Sequence, residues 1–300
     1  MKGLVIGYGS IGRRHARLLE ELGCEVAVVS RRKLQYLRYF SNIAVAIKDF
    51  QPDYAVVANE TSAHSATVEE LAGAGFRGKV LVEKPLGGGI PHHDFALCAV
   101  AYNLRFHPAL AELALALADE TILAMDVYCG QYLPDWRPGN DYRTSYSANL
   151  ARGGGVLRDL SHELDYVLWL GGPWRRIAAI GGHFSELEIN SDDCCAVLLE
   201  LERCRCATVQ INYLDRPGRR QIVVNTIAHT FAVDFSQGVL IRDGETRRFT
   251  VDRDDTYRAQ HKAVLEGDTS QLCGLGQGEA VMKLIAASEK AVREQAWVSA

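Results

Sequence analysis

Lys2-Gly3-Leu4-Val5-Ile6-Gly7-Tyr8-Gly9-Ser10-Ile11-Gly12 begins as an apolar run and ends in a glycine-spaced turn. The run reads as a buried strand. Arg13 to Leu22 follows, with Leu18, Leu19 and Leu22 at helical spacing. Strand, G-x-G-x-x-G turn and helix, in that order, make the first half of a dinucleotide-binding βαβ unit. Gly7 permits the tight turn, Gly9 lets backbone approach a pyrophosphate, and Gly12 lets the helix pack on the strand. The helix start at Ser10, Ile11 and Gly12 offers N–H groups and a positive dipole end to phosphate. A structural glycine turn is the rival reading of the same spacing.

Working outward, Glu25 to Ser30 reads as a second buried strand. Its end is where such folds choose between cofactors. A carboxylate there would bind a ribose 2′-hydroxyl and repel a 2′-phosphate; this chain instead has Ser30, Arg31, Arg32 and Lys33. NADP(H) is therefore favoured over NAD(H), against the rival of a solvated basic helix start. Between Arg31 and Asn42 there is room for one short helix. Asp53 to Ala58 is the next strand and runs into Asn59, Thr61 and His64, at a C-terminal strand end where open α/β sheets bind ligands. Lys79 to Val82 is another strand and ends in Glu83-Lys84-Pro85. A lysine on such an end, partly desolvated, can donate a proton or hydrogen bond to a carbonyl oxygen. Pro85 favours an extended Lys84, and a snorkelling surface lysine is the rival.

Composition bounds the possibilities. Three hundred residues, 48% of them hydrophobic, supply core for two modest domains. A net charge of −4 gives neither a nucleic-acid footprint nor a membrane-surface patch. No apolar run reaches bilayer length, and the chain opens on a strand and not a signal peptide. The eight cysteines include no C-x-x-C pair, so no metal site is expected and buried, reduced thiols in a cytoplasmic protein are.

Two stretches of the second half carry chemistry. Gln131 to Arg143 is rich in aromatics and arginines; Trp136 or Tyr142 could pack a sugar ring, and Arg137 or Arg143 could pair a carboxylate or phosphate. A surface crossover with its own small cluster fits equally. Gly153-Gly154-Gly155 leads into a helix through Leu170, with Leu160, Leu164, Val167 and Leu168 on one face and Asp159, His162, Glu163 and Tyr166 on the other. Alternating runs from Ile177 to Arg242 then read as one open, largely antiparallel sheet, closed by helices over Tyr257 to Leu265 and Gln277 to Val292.

In this order the motifs resemble the glucose-fructose oxidoreductase, inositol dehydrogenase and MocA (Gfo/Idh/MocA) family. Glu83-Lys84-Pro85 is similar to its E-K-P motif, whose lysine lies at the active site. Arg105-Phe106-His107-Pro108 resembles its R-F-x-P crossover, which implies a Rossmann domain over residues 1–105 and a substrate and oligomerisation α+β domain over 106–300, with Arg105 among the substrate contacts. The family's glycine run, Asp, His and further Asp match Asp159, His162 and Asp165, one residue tighter between Asp and His than is common. The resemblance implies Lys84, Asp159 and His162 as catalytic residues: His162 as acid or base, Lys84 polarising the substrate oxygen, and Asp159 orienting substrate or a neighbour. The Gly87-to-Phe95 connection and the Ser30-to-Asp53 link are short beside the family's. The implied protein is an NADP(H)-dependent oxidoreductase of a carbohydrate, polyol or keto-sugar, working as a homodimer or larger assembly. The Tyr132-to-Pro138 loop with the tight Asp-His form resembles members linked to bacterial surface sugars, acidic ones among them. Two rivals stand: a reductase of a non-sugar carbonyl or imine of the biliverdin-reductase kind, and a non-catalytic NADP-binding sensor.

Overall fold

The computed structural model describes the whole chain except Lys33, Leu34, Gln35 and Leu37. In chain order the first elements are β1 (Lys2–Ile6), α1 (Ser10–Glu21), β2 (Glu25–Val29), β3 (Tyr39–Phe40), α2 (Ile43–Phe50), β4 (Tyr54–Val57), α3 (His64–Gly73), β5 (Lys79–Val82) and β6 (Leu97–Val100). Then come α4 (Pro108–Ala116), β7 (Ile122–Gly130), α5 (Val156–Asp159), α6 (His162–Gly171), β8 (Trp174–Gly182), β9 (Cys194–Leu201), β10 (Cys206–Asn212) and β11 (Arg219–Thr226). The chain closes with β12 (Thr230–Asp234), β13 (Val239–Arg242), β14 (Glu245–Arg248), α7 (Asp255–Glu266), β15 (Cys273–Gly274), α8 (Leu275–Glu294) and β16 (Val298–Ser299).

Contacts divide the chain into two units: Met1–Phe106 with Arg253–Glu279, and His107–Asp252 with Ala280–Ala300. The leading segment of the first unit ends at Phe106, and His107 begins the second unit. A single cut at 105/106 does not provide for the return of 253–279, which adds α7 and β15 to the first unit.

The first unit carries a seven-stranded sheet in the order β15-β6-β5-β4-β1-β2-β3. All its pairings are parallel except β15 with β6. Parallel strands are covered on both faces, and Leu4, Val5, Ala55 and Val56 are accordingly fully buried. The core joins β1, β2 and β4 to Ala263, Val264 and Leu272 of the returning segment. Strand order reverses at β1, flanked by β2 and β4, so the ligand edge of the sheet lies at the C-terminal end of β1. The short helix expected between Arg31 and Asn42 falls partly on residues outside those described, as does Lys33; the described part holds β3. Helix α2 follows it, started by Asn42, whose side chain accepts the Val45 N–H at 3.1 Å.

The second unit carries a nine-stranded sheet, β14-β13-β12-β11-β7-β10-β9-β8-β16, antiparallel except for β7 with β10. Its strands alternate buried and exposed residues, as Cys194–Leu201 and Arg219–Thr226 show, because one face packs and the other is open. The glycine-led helix is a correction. It is two helices, α5 and α6, broken at Leu160 and Ser161, and Asp159, His162, Glu163 and Tyr166 are all buried. Helical spacing sets them opposite the apolar face, where a surface helix would look the same; Asp159, Glu163 and Tyr166 instead meet polar partners or an aromatic ring. All eight cysteines are free, although Cys206 is exposed and Cys24, Cys98 and Cys194 are only half-buried, against the burial expected of them. Among the described residues no helix is long and apolar enough to cross a membrane.

Candidate active site

In the first unit the expected cofactor residues line one sheet edge. The Gly7 N–H donates to the Val29 carbonyl at 2.9 Å, and the Ala58 N–H donates to that of Ile6 at 2.8 Å, so Gly7, Ser30 and Asn59 are neighbours. Gly7 has φ +97°, and a Cβ there would strike the Ala58–Asn59 backbone. A Cβ on Gly12 would fall on the Gly7 carbonyl, whereas the space over Gly9 is open. A flat diphosphate cradle at the start of α1 needs that combination: a tight floor, a close helix and an unobstructed approach.

Ser30 Oγ accepts the Arg32 N–H at 3.1 Å, which leaves the hydroxyl to donate its own proton. Arg31 and Arg32 are exposed. Asn59 donates to Thr67 Oγ1 at 2.7 Å, and the Thr61 carbonyl packs where a Cβ on Gly87 would stand. His64 is buried, with Nε2 3.3 Å from the Asn59 carbonyl; burial, more than any other influence, pulls its pKa below the usual histidine value.

Strand β5 leads directly into Glu83-Lys84, and the Lys84–Pro85 peptide is cis. Glu83 is buried; its Oε2 accepts the Lys84 N–H at 3.0 Å and its Oε1 lies 2.8 Å from His15 Nε2. Burial, the largest single influence on this carboxyl, raises its pKa. The His15 bond, the His15 and Lys84 charges and the Lys84 N–H together outweigh that and hold it below the usual carboxylate range. Arg105 is buried as well, its Nη1 donating to Gln277 Oε1 at 2.9 Å and to the Leu272 carbonyl at 3.4 Å. These partners tie it to the returning segment.

In the second unit, Asp159 closes α5 and His162 opens α6. The Tyr213 hydroxyl donates to Asp159 Oδ2 at 2.7 Å, and the Tyr146 hydroxyl bonds to the same carboxylate. Both phenols are pushed up in pKa, first by desolvation and next by the Asp159 charge. Tyr146 keeps 36% of its surface exposed, so it is the hydroxyl end that has left water. The Gln131–Arg143 loop packs onto these two tyrosines: Trp136 meets the Tyr213 ring edge-on at 5.2 Å, and Arg137 lies 5.6 Å over the Tyr146 ring. A cavity of about 360 Å³ results, lined among others by Trp136, Arg137, Tyr142, Tyr146 and Arg152. Arg143 is held elsewhere, by Asp141 at 2.9 Å and Glu188 at 3.3 Å.

Sequence reasoning singled out Lys84, Asp159 and His162 but not Tyr146, Tyr213, His15 or Arg220, which hold or neighbour them. His15 was legible in principle: it shares the buried stripe of Ala16, Leu18 and Leu19 on α1, an odd place for a histidine without a partner.

Fold and site together define a nicotinamide-dependent oxidoreductase. The chain belongs to the Gfo/Idh/MocA family: residues 1–88 match the description "Oxidoreductase family, NAD-binding Rossmann fold" and residues 121–241 match "GFO/IDH/MocA C-terminal domain". No curated protein matches the chain. Similar solved structures include GenD2 from gentamicin A biosynthesis in complex with NAD, at 20% identity and TM-score 0.80, covering 100% of this chain and 96% of that one. Levoglucosan dehydrogenase in complex with NADH is 14% identical with TM-score 0.83 and coverages of 100% and 98%. UDP-N-acetylglucosamine 3-dehydrogenase GnnA from Acidithiobacillus ferrooxidans is 19% identical with TM-score 0.80, covering 98% of each chain.

Proposed function

We propose that the protein is an NADP(H)-dependent oxidoreductase acting on a carbohydrate, polyol or keto-sugar. The observation that carries this reading is Asp159, clamped by Tyr213 and Tyr146 on the very tyrosines that Trp136 and Arg137 pack against. A carboxylate with a fixed direction, beside an aromatic face and a guanidinium, suits a hydroxyl-bearing ring. The printed names of GenD2, levoglucosan dehydrogenase and GnnA point to the same substrate class.

The cofactor, when bound, supplies the hydride donor or acceptor. Gly7, Gly9, Ser10, Ile11 and Gly12 hold its diphosphate; Ser30, Arg31 and Arg32 take the 2′-phosphate; Asn59, Thr61, His64 and Glu83 line the remaining edge. Lys84 hydrogen-bonds the reacting oxygen of the substrate and stabilises negative charge there. His162 gives or takes that oxygen's proton. Asp159 orients the substrate, and Trp136, Arg137 and Tyr142 contact its far side.

The assembly is a homodimer or larger. An open groove of about 1020 Å³ on the nine-stranded sheet carries Ile180 (74% exposed), Phe184 (63%), Leu198 and Trp297, a patch that a second copy would cover. Light scattering on the purified protein should give a multiple of the 300-residue chain mass; a monomer would remove this part of the proposal.

A screen of hexoses, uronates and nucleotide sugars with NADP⁺ and NAD⁺, followed by absorbance of the reduced nicotinamide, tests the activity. Turnover of a sugar is the expected result. Tight cofactor binding without turnover favours the sensor reading, and turnover of a non-sugar carbonyl or imine alone favours the other reductase.

A further inference from the structure

Behind Lys84, inside the first unit, four polar side chains form a file. Glu83 Oε1 is 2.8 Å from His15 Nε2, His15 Nδ1 is 2.9 Å from His261 Nε2, and His261 Nδ1 is 2.9 Å from the Tyr54 hydroxyl. Exposures are 8%, 0%, 1% and 0% along the file. The four residues come from the residue after β5, from α1, from α7 and from β4, so the returning segment supplies one of the links.

A carboxylate only accepts, so Glu83 takes the Nε2–H of His15. Burial and the neighbouring His15 hold His261 neutral, and burial, then Cys24 and Glu83, keep the Tyr54 phenol protonated. Each ring nitrogen of His15 and His261 thus meets one polar partner within the file. The groups facing the file are few: Lys84 and His64 act on Glu83, Tyr257 lies edge-on to His15 at 5.8 Å, and Arg14 lies over the Tyr257 ring. A surface ion pair needs no such file, and an apolar core of equal volume would be more stable than buried polar groups kept for packing alone.

We infer that His15 and His261 are positioning residues for Lys84: the file fixes the Glu83 carboxylate in one orientation, and the carboxylate's other oxygen takes the Lys84 N–H and sets the strand end that carries the amine. The inference rests on the reading of Lys84 as the amine at the reacting oxygen. It gives the segment 253–279 a part in the chemistry through His261, although that segment lies far from the E-K-P motif in sequence.

Two variants test it. His261→Gln retains a side chain that can both donate and accept; His261→Leu removes it. The leucine variant should lose on the order of 10- to 100-fold in kcat, with the cofactor dissociation constant unchanged, and glutamine should restore most of kcat. The Lys84 resonance after ¹³C reductive methylation, assigned with Lys84→Arg, should shift in His261→Leu and return in His261→Gln. That reading needs no turnover, so a protein without dehydrogenase activity would defeat the proposed function and still leave this inference decidable. An unshifted Lys84 signal with unchanged kcat in His261→Leu overturns it.

Discussion

Arg220 Nε lies 2.9 Å from Glu163 Oε1, and Glu163, fully buried, is the residue immediately after His162. The Tyr166 hydroxyl reaches the same oxygen at 3.4 Å. Burial works against the Arg220 charge, yet the Glu163 carboxylate raises its pKa on balance. Each proposed proton-handling residue thus adjoins a buried glutamate tied to a cationic or imidazole partner on another element: Glu83 with His15 beside Lys84, and Glu163 with Arg220 beside His162.

Removing one partner of such a pair strands the other charge. Arg220→Met should therefore destabilise the second unit by about 3 kcal/mol, the low end for a buried pair because Arg220 keeps partial solvent access. Urea denaturation of the purified variant measures it. An unchanged midpoint would mean that the pair contributes nothing net.

Tyr213→Phe leaves the ring against Trp136 but deletes the bond to Asp159. A hydrogen bond to a charged group is worth about 2 kcal/mol, and the freed carboxylate can turn away from the substrate. The expected result is a kcat lowered on the order of 10-fold with NADPH binding unaltered. A variant that lost cofactor affinity and kept kcat would remove Asp159 from the site.

The residues that name the fold were readable because their chemistry is local. Gly7 to Gly12 and Glu83-Lys84 each sit within one strand end, so spacing alone places them on the sheet edge. Period 2 likewise exposed the strands of the second unit. The break after Asp159 was not readable, since Leu160 and Ser161 look like ordinary helix residues and the departure to φ −98°, ψ 35° at Leu160 has no proline or glycine to announce it. Nor were the partners Tyr213, Arg220 and His261, which reach their sites from strands and helices distant in sequence. The Trp136 and Arg137 reading stood even with a surface cluster, because the contacts of that loop with Tyr146 and Tyr213, and of these with Asp159, join residues distant in sequence.

Stability should fall with pH below neutrality. His107 is pushed down to about 4, first by burial and then by the Arg220 charge, and His261 lies well below its ordinary value. Unfolded histidines take up a proton near pH ~6.5 that these folded ones refuse. Between there and about pH 4 the unfolded state binds more protons, so stability is lost as pH falls, by up to ~1.4 kcal/mol per pH unit for each residue. Glu83, held below the carboxylate range, adds its loss only in the more acid region where it finally protonates. Denaturation of wild type and His107→Phe near neutral pH and near pH ~5 checks this, because phenylalanine can still pack on Phe235 without titrating. An equal pH dependence in the two proteins would rule out His107 as a contributor.

Cofactor binding should separate into two halves by mutation. A Cβ on Gly12 meets the Gly7 carbonyl, which is backbone and cannot move aside cheaply. Gly12→Ala should therefore lift α1 off the turn and weaken NADH and NADPH alike, since both carry the diphosphate. Arg31→Ala with Arg32→Ala touches only the groups proposed to meet a 2′-phosphate, which NADH lacks. Fluorescence titration of the double variant should thus show NADPH affinity falling on the order of 10-fold or more, at ~1–2 kcal/mol for each charge-assisted contact, while NADH binding stays near wild type. Equal wild-type affinity for the two cofactors, or equal losses in the double variant, would show that Ser30 and the arginines do not discriminate and would overturn the NADP(H) preference, leaving the diphosphate cradle to be judged by Gly12→Ala alone.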